Sequence, residues 1–164
     1  PLENVKPPFP RVPYDEAINI LNKKGFNLKW GDDIGADEEK ALTLEFTQPI
    51  HLHHFPENVK AFYHRNDPSK PSTTLSVDVL APEGYGEVIG GGERIYDYDE
   101  LISKIKRFNL NPEDYQWYVD LRKYGSVPHA GFGLGVDRLV MWICGLEHIR
   151  DALPFPRDMR RLKP

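Results

Sequence analysis

Three glycines alternate with other residues near the end of the chain, at Gly131, Gly133 and Gly135 of the stretch "GFGLGVDRLVMWICGL". A period of two is typical of a β-strand, and the apolar run after the Asp-Arg pair has the length of a short helix. The spacing G-x-G-x-G differs from the G-x-G-x-x-G of dinucleotide-binding folds and from a phosphate loop that ends in Gly-Lys-Ser/Thr. We therefore expect a glycine-rich strand that leads into a helix over residues 137–144, ended by Gly145.

The glycine strand suits a planar ligand. Glycines on one face of a strand leave a flat surface on which a ring can lie against the backbone. Arg138, just inside the following helix, can stack on such a ring or bind a phosphate with its planar guanidinium. The stretch thus fits a nucleotide, and the alternative is that the glycines only allow the helix to pack closely.

The rest of the chain predicts short strands and amphipathic helices after an extended, proline-rich segment at 1–13. Strands are expected at 49–55, 59–67, 74–82 and 85–95, with a turn at 66–72, and helices at 14–25, 37–46, 98–110 and 112–125. Asp37 is the expected N-cap of the second helix, and the last two helices carry apolar stripes at Leu101, Ile105 and Phe108, and at Tyr115, Tyr118 and Leu121. Strands that precede helices favour an α+β fold, a mostly antiparallel sheet flanked by helices.

Composition narrows the class of protein. The 164 residues fit one domain, and 40% hydrophobic with 28% charged residues is ordinary for a folded protein. The net charge of −4 does not indicate a nucleic-acid-binding surface, and no apolar stretch approaches the roughly 20 residues that span a bilayer. Cys144 is the single cysteine, so no internal disulfide can form. It is predicted to be a buried thiol, and a reducing, cytoplasmic setting follows.

Two acids and an arginine form a second group of candidate residues, in "VDVLAPEGYGEVIGGGER". Asp78 and Glu87 lie on neighbouring predicted strands that turn around Gly84, so their carboxylates can face one point. Two carboxylates together with nucleotide phosphates are typical ligands of Mg²⁺. An acid-base pair and a solvated strand face are the alternatives. Arg94 follows three glycines, which predicts a tight pocket for a small anionic or amide group.

The histidines are weaker candidates for functional residues than these acids and arginines. His51 and His53 share a strand face at a spacing that can hold a metal, but no third ligand is evident, so incidental histidines are favoured. His64 has no assigned role. His129 either lines the nucleotide site or hydrogen-bonds to the backbone, and the second is preferred. Five basic residues of the last two predicted helices are expected to form a solvated face rather than an RNA surface: Lys104, Lys106, Arg107, Arg122 and Lys123.

In this order the motifs resemble those of the class II aminoacyl-tRNA synthetases, in the aspartyl/asparaginyl branch. "GFGLGVDRL" is similar to the third motif of the class. "GEVIGGGERIYDYDEL", "WYVDLRKYGSVPHAGFGLG" and "HIRDALPFPR" resemble most the archaeal-type asparaginyl enzymes. "PPFPRVPYDEAINIL" and "WGDDIGADEEKALT" match the catalytic domain of the same enzymes, so the resemblance covers essentially the whole chain.

The resemblance implies a class II catalytic core and an ATP-dependent ligase that forms an aminoacyl-adenylate from asparagine, or aspartate, and transfers it to tRNA(Asn). It implies that Arg138 contacts the γ-phosphate and the adenine of a bent ATP. It also implies ATP contacts from Gly131, Gly133, Gly135 and Glu87, Mg²⁺ binding by Asp78 and Glu87, and amino-acid binding by Arg94 and Gly91. Enzymes of this class are usually homodimers.

Some features of the family are not found in this sequence. The first and second motifs and the anticodon-binding barrel lie upstream in the family, so we expect residues 1–164 to be the C-terminal part of a catalytic domain. Asp137 replaces the usual Glu, and Gly92 and Ala130 stand where asparaginyl enzymes often have Ser. Ala130 and Asp137 lean toward aspartyl enzymes. Two alternatives therefore stay open. One is an aspartate-activating paralogue, which is either similar to aspartyl-tRNA synthetases or passes aspartate to ammonia, and the other is a non-catalytic synthetase-like module.

Overall fold

A five-stranded sheet forms the centre of the computed structural model, which describes residues 2–163. The strands are β1 (Arg11–Pro13), β2 (Ile50–His53), β3 (Asn66–Asp67), β4 (Lys70–Thr74), β5 (Ser76–Ala81), β6 (Gly86–Glu93) and β7 (Ala130–Leu134). The strand order of the large sheet is β1-β2-β5-β6-β7, and β3 pairs with β4 in a separate two-stranded sheet. Only β1 and β2 are parallel. The predicted α+β class with a mostly antiparallel sheet is confirmed.

Five α-helices and several short 3₁₀ turns connect the strands. The helices are α1 (Tyr14–Lys23), α2 (Ala36–Thr43), α3 (Tyr98–Arg107), α4 (Gln116–Lys123) and α5 (Val136–Cys144). The 3₁₀ turns are Leu2–Asn4, Glu57–Val59, Pro112–Tyr115 and Ile149–Ala152. Within residues 2–163, none of the helices has the length and apolar character that crossing a bilayer requires.

The main hydrophobic core lies between the sheet and the first two helices. Ile50 and Leu52 point into it from β2, while His51 and His53 alternate onto the other, half-buried face. Leu21 of α1 and Leu42 of α2 are fully buried against the same cluster. Truncating one such side chain to Ala typically costs about 2–5 kcal/mol of stability. Leu80 belongs to the same cluster, so this core fixes β5, which carries the candidate acid Asp78.

A second cluster packs α3 and α4 together. Leu101 and Ile105 of α3 are fully buried, as their spacing predicts, and Val119 of α4 joins them. The prediction is wrong for Leu121, which is 56% exposed. Tyr115, the first residue of the predicted stripe, belongs to a 3₁₀ turn, and α4 begins only after it. The buried stripe of α4 is therefore rotated from the predicted one.

Several predicted boundaries are wrong. Residues 59–65 form no strand: Arg65 donates its backbone N–H to Glu93 and accepts from Leu75, so the segment runs beside the sheet as a hydrogen-bonded loop. The predicted turn at 66–72 contains β3 and the start of β4. The N-cap of α2 is Gly35 rather than Asp37, which lies in the first helical turn. The segment at 1–13 is not uniformly extended, because a 3₁₀ turn and β1 lie within it.

Three residues have a burial opposite to the one predicted. Lys104 and Arg122 were expected in a solvated face, but they are 1% and 6% exposed and bond to carbonyl oxygens of neighbouring segments. Cys144 was expected to be buried and is exposed. All of α5 is described and none of its residues is buried, although it contacts β6 and the 3₁₀ turn at Ile149–Ala152.

Candidate functional site

A β-bulge places the two candidate acids on the same face of the sheet. Asp78 pairs directly with Gly90, while Val79 pairs with Ile89 and Leu80 with Glu87, so β6 contains one extra residue at this point. The extra residue turns Glu87 onto the face that Asp78 occupies. A Cβ built on Gly90 would lie 2.6 Å from Glu87 Oε1 and 3.3 Å from Asp78 Oδ1. Both carboxylates thus border the space above Gly90, the juxtaposition expected from the sequence.

Asp78 is a buried acid with one free oxygen. Its Oδ2 accepts a hydrogen bond from Lys60 Nζ at 2.5 Å, whereas its Oδ1 is buried without a hydrogen-bond partner. Burial raises the pKa of Asp78 to about 6, although the ammonium of Lys60 opposes that shift. A solvated strand face is therefore the wrong interpretation for Asp78, whose side chain is 6% exposed.

The two carboxylates fit a magnesium ion better than a metal held by protein alone. Among residues 2–163 there is no group of three or more His, Cys, Asp or Glu side chains that can hold a metal, which also leaves His51 and His53 without support as ligands. Mg²⁺ prefers oxygen ligands and often takes one or two carboxylates, with water and substrate phosphates in the remaining positions. The unpartnered Asp78 Oδ1 and the nearby Glu87 Oε1 match that requirement.

Glu39 supports this site from α2, a role that nothing in its helical "DEEK" context indicates. Its Oε2 accepts the backbone N–H of Glu87 at 3.0 Å, and a Cβ on Gly86 would lie 2.7 Å from the same oxygen. Burial is the main cause that raises the pKa of Glu39. Glu39 thus holds the start of β6 in the position from which Glu87 reaches the site.

A cavity of about 270 Å³ lies next to the acids. Its lining residues are Lys60, Ala61, Tyr63, His64, Asp78, Glu87, Gly90, Gly91 and Arg94. The cavity therefore contains the predicted site residues Asp78, Glu87, Gly91 and Arg94. Lys60, Tyr63 and His64 come from the loop that was wrongly predicted as a strand, and so no pattern in the sequence assigned them to the site.

Arg94 lies across the glycines of the last strand. A Cβ on Gly131 would be 3.2 Å from Arg94 Nη2. Gly91 contacts the same strand from β6, because a Cβ there would lie 2.7 Å from the carbonyl oxygen of Gly131. The backbone N–H of Arg94 donates to the carbonyl of His129 at 2.9 Å. Because Gly131 has no side chain, the guanidinium of Arg94 can lie against the backbone of β7.

Gly133 of β7 and Gly135, the N-cap of α5, have different surroundings from Gly131. A Cβ on Gly133, the pairing partner of Gly90, would meet nothing within 4 Å, and one on Gly135 would meet the Arg138 side chain at 3.4 Å. Close helix packing is therefore the wrong explanation for Gly131 and Gly133 within the described residues. An open, flat strip of backbone instead borders the two carboxylates.

Arg138 connects this strip to the acids. It is exposed in the first turn of α5, and its Nη1 donates to the carbonyl oxygen of Glu87 at 3.0 Å. It does not line the cavity of Arg94, so the predicted residues form two adjacent groups that share Glu87. His129 Nδ1 lies 2.7 Å from the carbonyl oxygen of Val127, which confirms the preferred interpretation of a backbone hydrogen bond.

Comparison with curated proteins gives close relatives. The chain is 57% identical to the asparagine–tRNA ligase of Pyrococcus abyssi over 163 residues, which are 99% of this chain and 38% of that protein. It is 55% identical to the asparagine–tRNA ligase of Thermoplasma acidophilum with the same coverage. The chain thus spans 38% of the length of these curated relatives.

Solved structures of aminoacyl-tRNA synthetases superpose closely on this chain. The asparaginyl-tRNA synthetase of Pyrococcus horikoshii complexed with asparaginyl-adenylate superposes with a TM-score of 0.96 at 57% identity, over 99% of this chain and 38% of that one. The aspartyl-tRNA synthetase of Entamoeba histolytica superposes with a TM-score of 0.89 at 32% identity, over 98% of this chain and 34% of that one. The sequence matches the family described as tRNA synthetases class II (D, K and N) over residues 2–159, and the chain belongs to that family.

Proposed function

We propose that the complete gene product with this chain is an asparagine–tRNA ligase, which activates asparagine with ATP and transfers it to tRNA(Asn). The observation that carries this proposal is the arrangement of two carboxylates, Asp78 and Glu87, between the Arg94 cavity and the open glycine strip beside Arg138. A small cavity with one cationic end suits an amino acid, and the strip with a second cation suits a nucleotide. The high identity to asparagine–tRNA ligases supports the choice of substrate.

The residues would divide the work of adenylate formation. Gly131, Gly133 and Gly135 would leave room for the nucleoside, while the exposed Arg138 would bind its phosphates. Activation is the in-line attack of the amino-acid carboxylate on the α-phosphate, which releases pyrophosphate, and the protein contributes by positioning the reactants and stabilising charge.

The cavity would hold the amino acid itself. Arg94 would donate to the side-chain oxygen of the amino acid, and Gly91 would allow the approach. Asp78 and Glu87 would hold Mg²⁺, which would neutralise phosphate charge when it is bound. Lys60, already paired with Asp78, would keep that carboxylate ionised at neutral pH.

We further propose that residues 1–164 are the C-terminal part of the catalytic domain, and that the complete enzyme is a cytoplasmic homodimer. The support is the family membership and the share of its relatives that this chain spans. The carboxylates lie on the central strand β5 and on β6, which pairs with the edge strand β7, and a further part of a catalytic domain can complete the site along that edge.

Replacement of Arg138 tests the proposed function. In the complete gene product, Arg138→Ala should lower asparagine-dependent ATP–pyrophosphate exchange by about 100-fold or more, because a preorganised cation at the phosphates is lost. Arg11→Ala is the matched control, since β1 is the opposite edge of the sheet. Full exchange in Arg138→Ala, or none in the wild type with asparagine, would contradict the proposal.

A further inference from the structure

We propose that His64 is a positioning residue that orients Arg94 toward the side chain of the amino acid. The inference rests on the proposed function, in which Arg94 binds the side-chain oxygen of asparagine, and it adds a residue to which the sequence assigned no role. His64 lines the same cavity as Arg94.

The guanidinium of Arg94 is held on three sides. Its Nη1 lies 3.2 Å from His64 Nε2, and its central carbon lies 4.7 Å from the centre of the Tyr63 ring. Its Nη2 lies over Gly131, 3.2 Å from where a Cβ would be. Because an arginine side chain has many rotamers in water, such contacts lower the entropy lost when it binds a ligand.

His64 can only accept the hydrogen bond from Arg94. Its Nδ1 lies 3.2 Å from the carbonyl oxygen of Ala61, which cannot donate, so the proton belongs on Nδ1 and Nε2 keeps its lone pair. Burial, followed by the nearby charges of Arg94 and Lys60, lowers the pKa of His64 to about 4. The ring is therefore neutral at physiological pH and does not repel the guanidinium.

The histidine is itself fixed by its neighbours. Lys104, which is 1% exposed, donates from Nζ to the backbone carbonyl of His64 and to Asn66 Oδ1. The ring occupies the gap that Gly92 leaves, because a Cβ on Gly92 would lie 2.7 Å from His64 Cδ2. His64 is 6% exposed, so it has little freedom to turn away from Arg94.

This arrangement decides which donors of Arg94 remain for a ligand. Since Nη1 is engaged by His64, Nη2 and Nε lie free near Gly131, 3.2 and 3.5 Å from its Cβ position. A side-chain carbonyl in the cavity would meet that edge of the guanidinium. Without the acceptor at His64, Arg94 keeps its charge and loses its orientation. Amino-acid binding should therefore weaken, whereas ATP binding should not.

Two substitutions of similar size separate positioning from packing. His64→Leu fills the site without an acceptor, and His64→Gln brings an amide oxygen close to the position of Nε2. In the complete gene product, measured by ATP–pyrophosphate exchange, His64→Leu should raise the KM for asparagine about tenfold, the usual effect of losing one hydrogen bond to a charged group. The KM for ATP should change by less than about twofold. His64→Gln should restore most of the asparagine KM.

His51→Ala serves as the control, because His51 lies on the opposite face of the sheet. An unchanged asparagine KM in His64→Leu, an equal rise in both KM values, or a His64→Gln variant no better than His64→Leu would each overturn the proposal. If His64→Leu does not fold, His64→Ala takes its place.

A second readout does not depend on activity. In a crystal structure of the His64→Leu protein, the guanidinium of Arg94 should have left its position above Gly131, and an unmoved guanidinium would overturn the proposal. This readout also separates the two claims: a wild type without asparagine-dependent exchange contradicts the proposed function, while the position of Arg94 still decides the role of His64.

Discussion

At the scale of single residues, a substitution at Gly133 tests whether the glycines of β7 serve ligand binding or packing. Its missing side chain faces open space, so Gly133→Ala should leave the stability of the fold nearly unchanged. A methyl group there would nevertheless reduce the flat surface beside the carboxylates. We expect a KM for ATP raised by about fivefold to tenfold in the exchange assay, which corresponds to roughly 1 kcal/mol of lost contact.

Gly131→Ala is the comparison for that variant. A Cβ at Gly131 would crowd Arg94 Nη2 at 3.2 Å, so the KM for asparagine should rise more than the KM for ATP. If Gly133→Ala leaves the KM for ATP unchanged, the nucleotide would not lie on this strand.

His64 also makes a measurable contribution to the pH dependence of stability. Its pKa is about 4 in the folded protein against an ordinary value of 6.5, so the unfolded chain binds more protons between these values. The folded state therefore loses stability as the pH falls through this window. His64→Gln cannot titrate, so its thermal midpoint should rise relative to wild type between pH 7 and pH 5, by the equivalent of about 2 kcal/mol.

Asp78 has the opposite effect on the pH dependence of stability over nearly the same pH range. Its pKa is raised from 3.8 to about 6, so the folded state binds more protons there and gains relative stability as the pH falls. Asp78 is present in both proteins, and its contribution cancels in the comparison. Parallel pH profiles for wild type and His64→Gln would mean that His64 is not buried as a neutral ring.

At the scale of elements, the bulge in β6 sets the position of the Glu87 carboxylate beside Asp78. Deletion of Val88 should give β5 and β6 a regular register, in which Glu87 stays opposite Leu80 and on the face of Asp78 but loses the local bend and twist that the bulge gives β6. We predict that Mg²⁺-dependent exchange is lost, while the far-UV circular dichroism of the complete protein stays close to that of the wild type. Deletion of Ser69, in the turn between β3 and β4, is the matched control. Exchange that survives the Val88 deletion would show that the bulge does not position Glu87.

The helices and strands also show which parts of the fold could be predicted from the sequence. Periodicity predicted α1, α3, β2, β5 and the strand-helix pair β7–α5, because each has a buried or glycine-bearing face with a clear repeat. It failed for residues 59–65, whose backbone bonds to distant carbonyls such as that of Glu93 and has no repeat of its own. The same failure hid Lys60 and His64, since their part in the site depends on tertiary contacts alone.

The family resemblance and the residue spacing predicted the residues of the candidate site, but not the residues that hold them in place. Asp78 and Glu87 were expected to face one point because a turn joins their strands, yet the bulge that accomplishes this leaves no mark in the sequence. Glu39 reaches the site from a helix 48 positions away along the chain, which no local pattern can indicate. Burial of Lys104 likewise depends on the carbonyl of His64 rather than on the helical pattern of α3.

At the scale of the whole molecule, β7 and α5 expose an unusual amount of apolar surface. Phe132 is 72% exposed, Val136 63% and Ile143 48%. Patches of this kind promote association. We predict that the isolated 164-residue chain self-associates in sedimentation velocity, and that Phe132→Ser with Ile143→Ser shifts it toward the monomer. A wild-type chain that is already monomeric at high concentration would contradict this.

The most direct test of the central claim is amino-acid-dependent ATP–pyrophosphate exchange by the complete gene product, with asparagine and aspartate compared side by side. The arrangement of Arg94, Asp78, Glu87 and Arg138 around one cavity and one glycine strip predicts amino-acid-dependent exchange. The proposed asparagine ligase function predicts that asparagine drives this exchange and aspartate does not. Exchange driven by aspartate would indicate the aspartate-activating paralogue instead. No exchange with either amino acid would contradict an adenylate-forming site and favour a non-catalytic module.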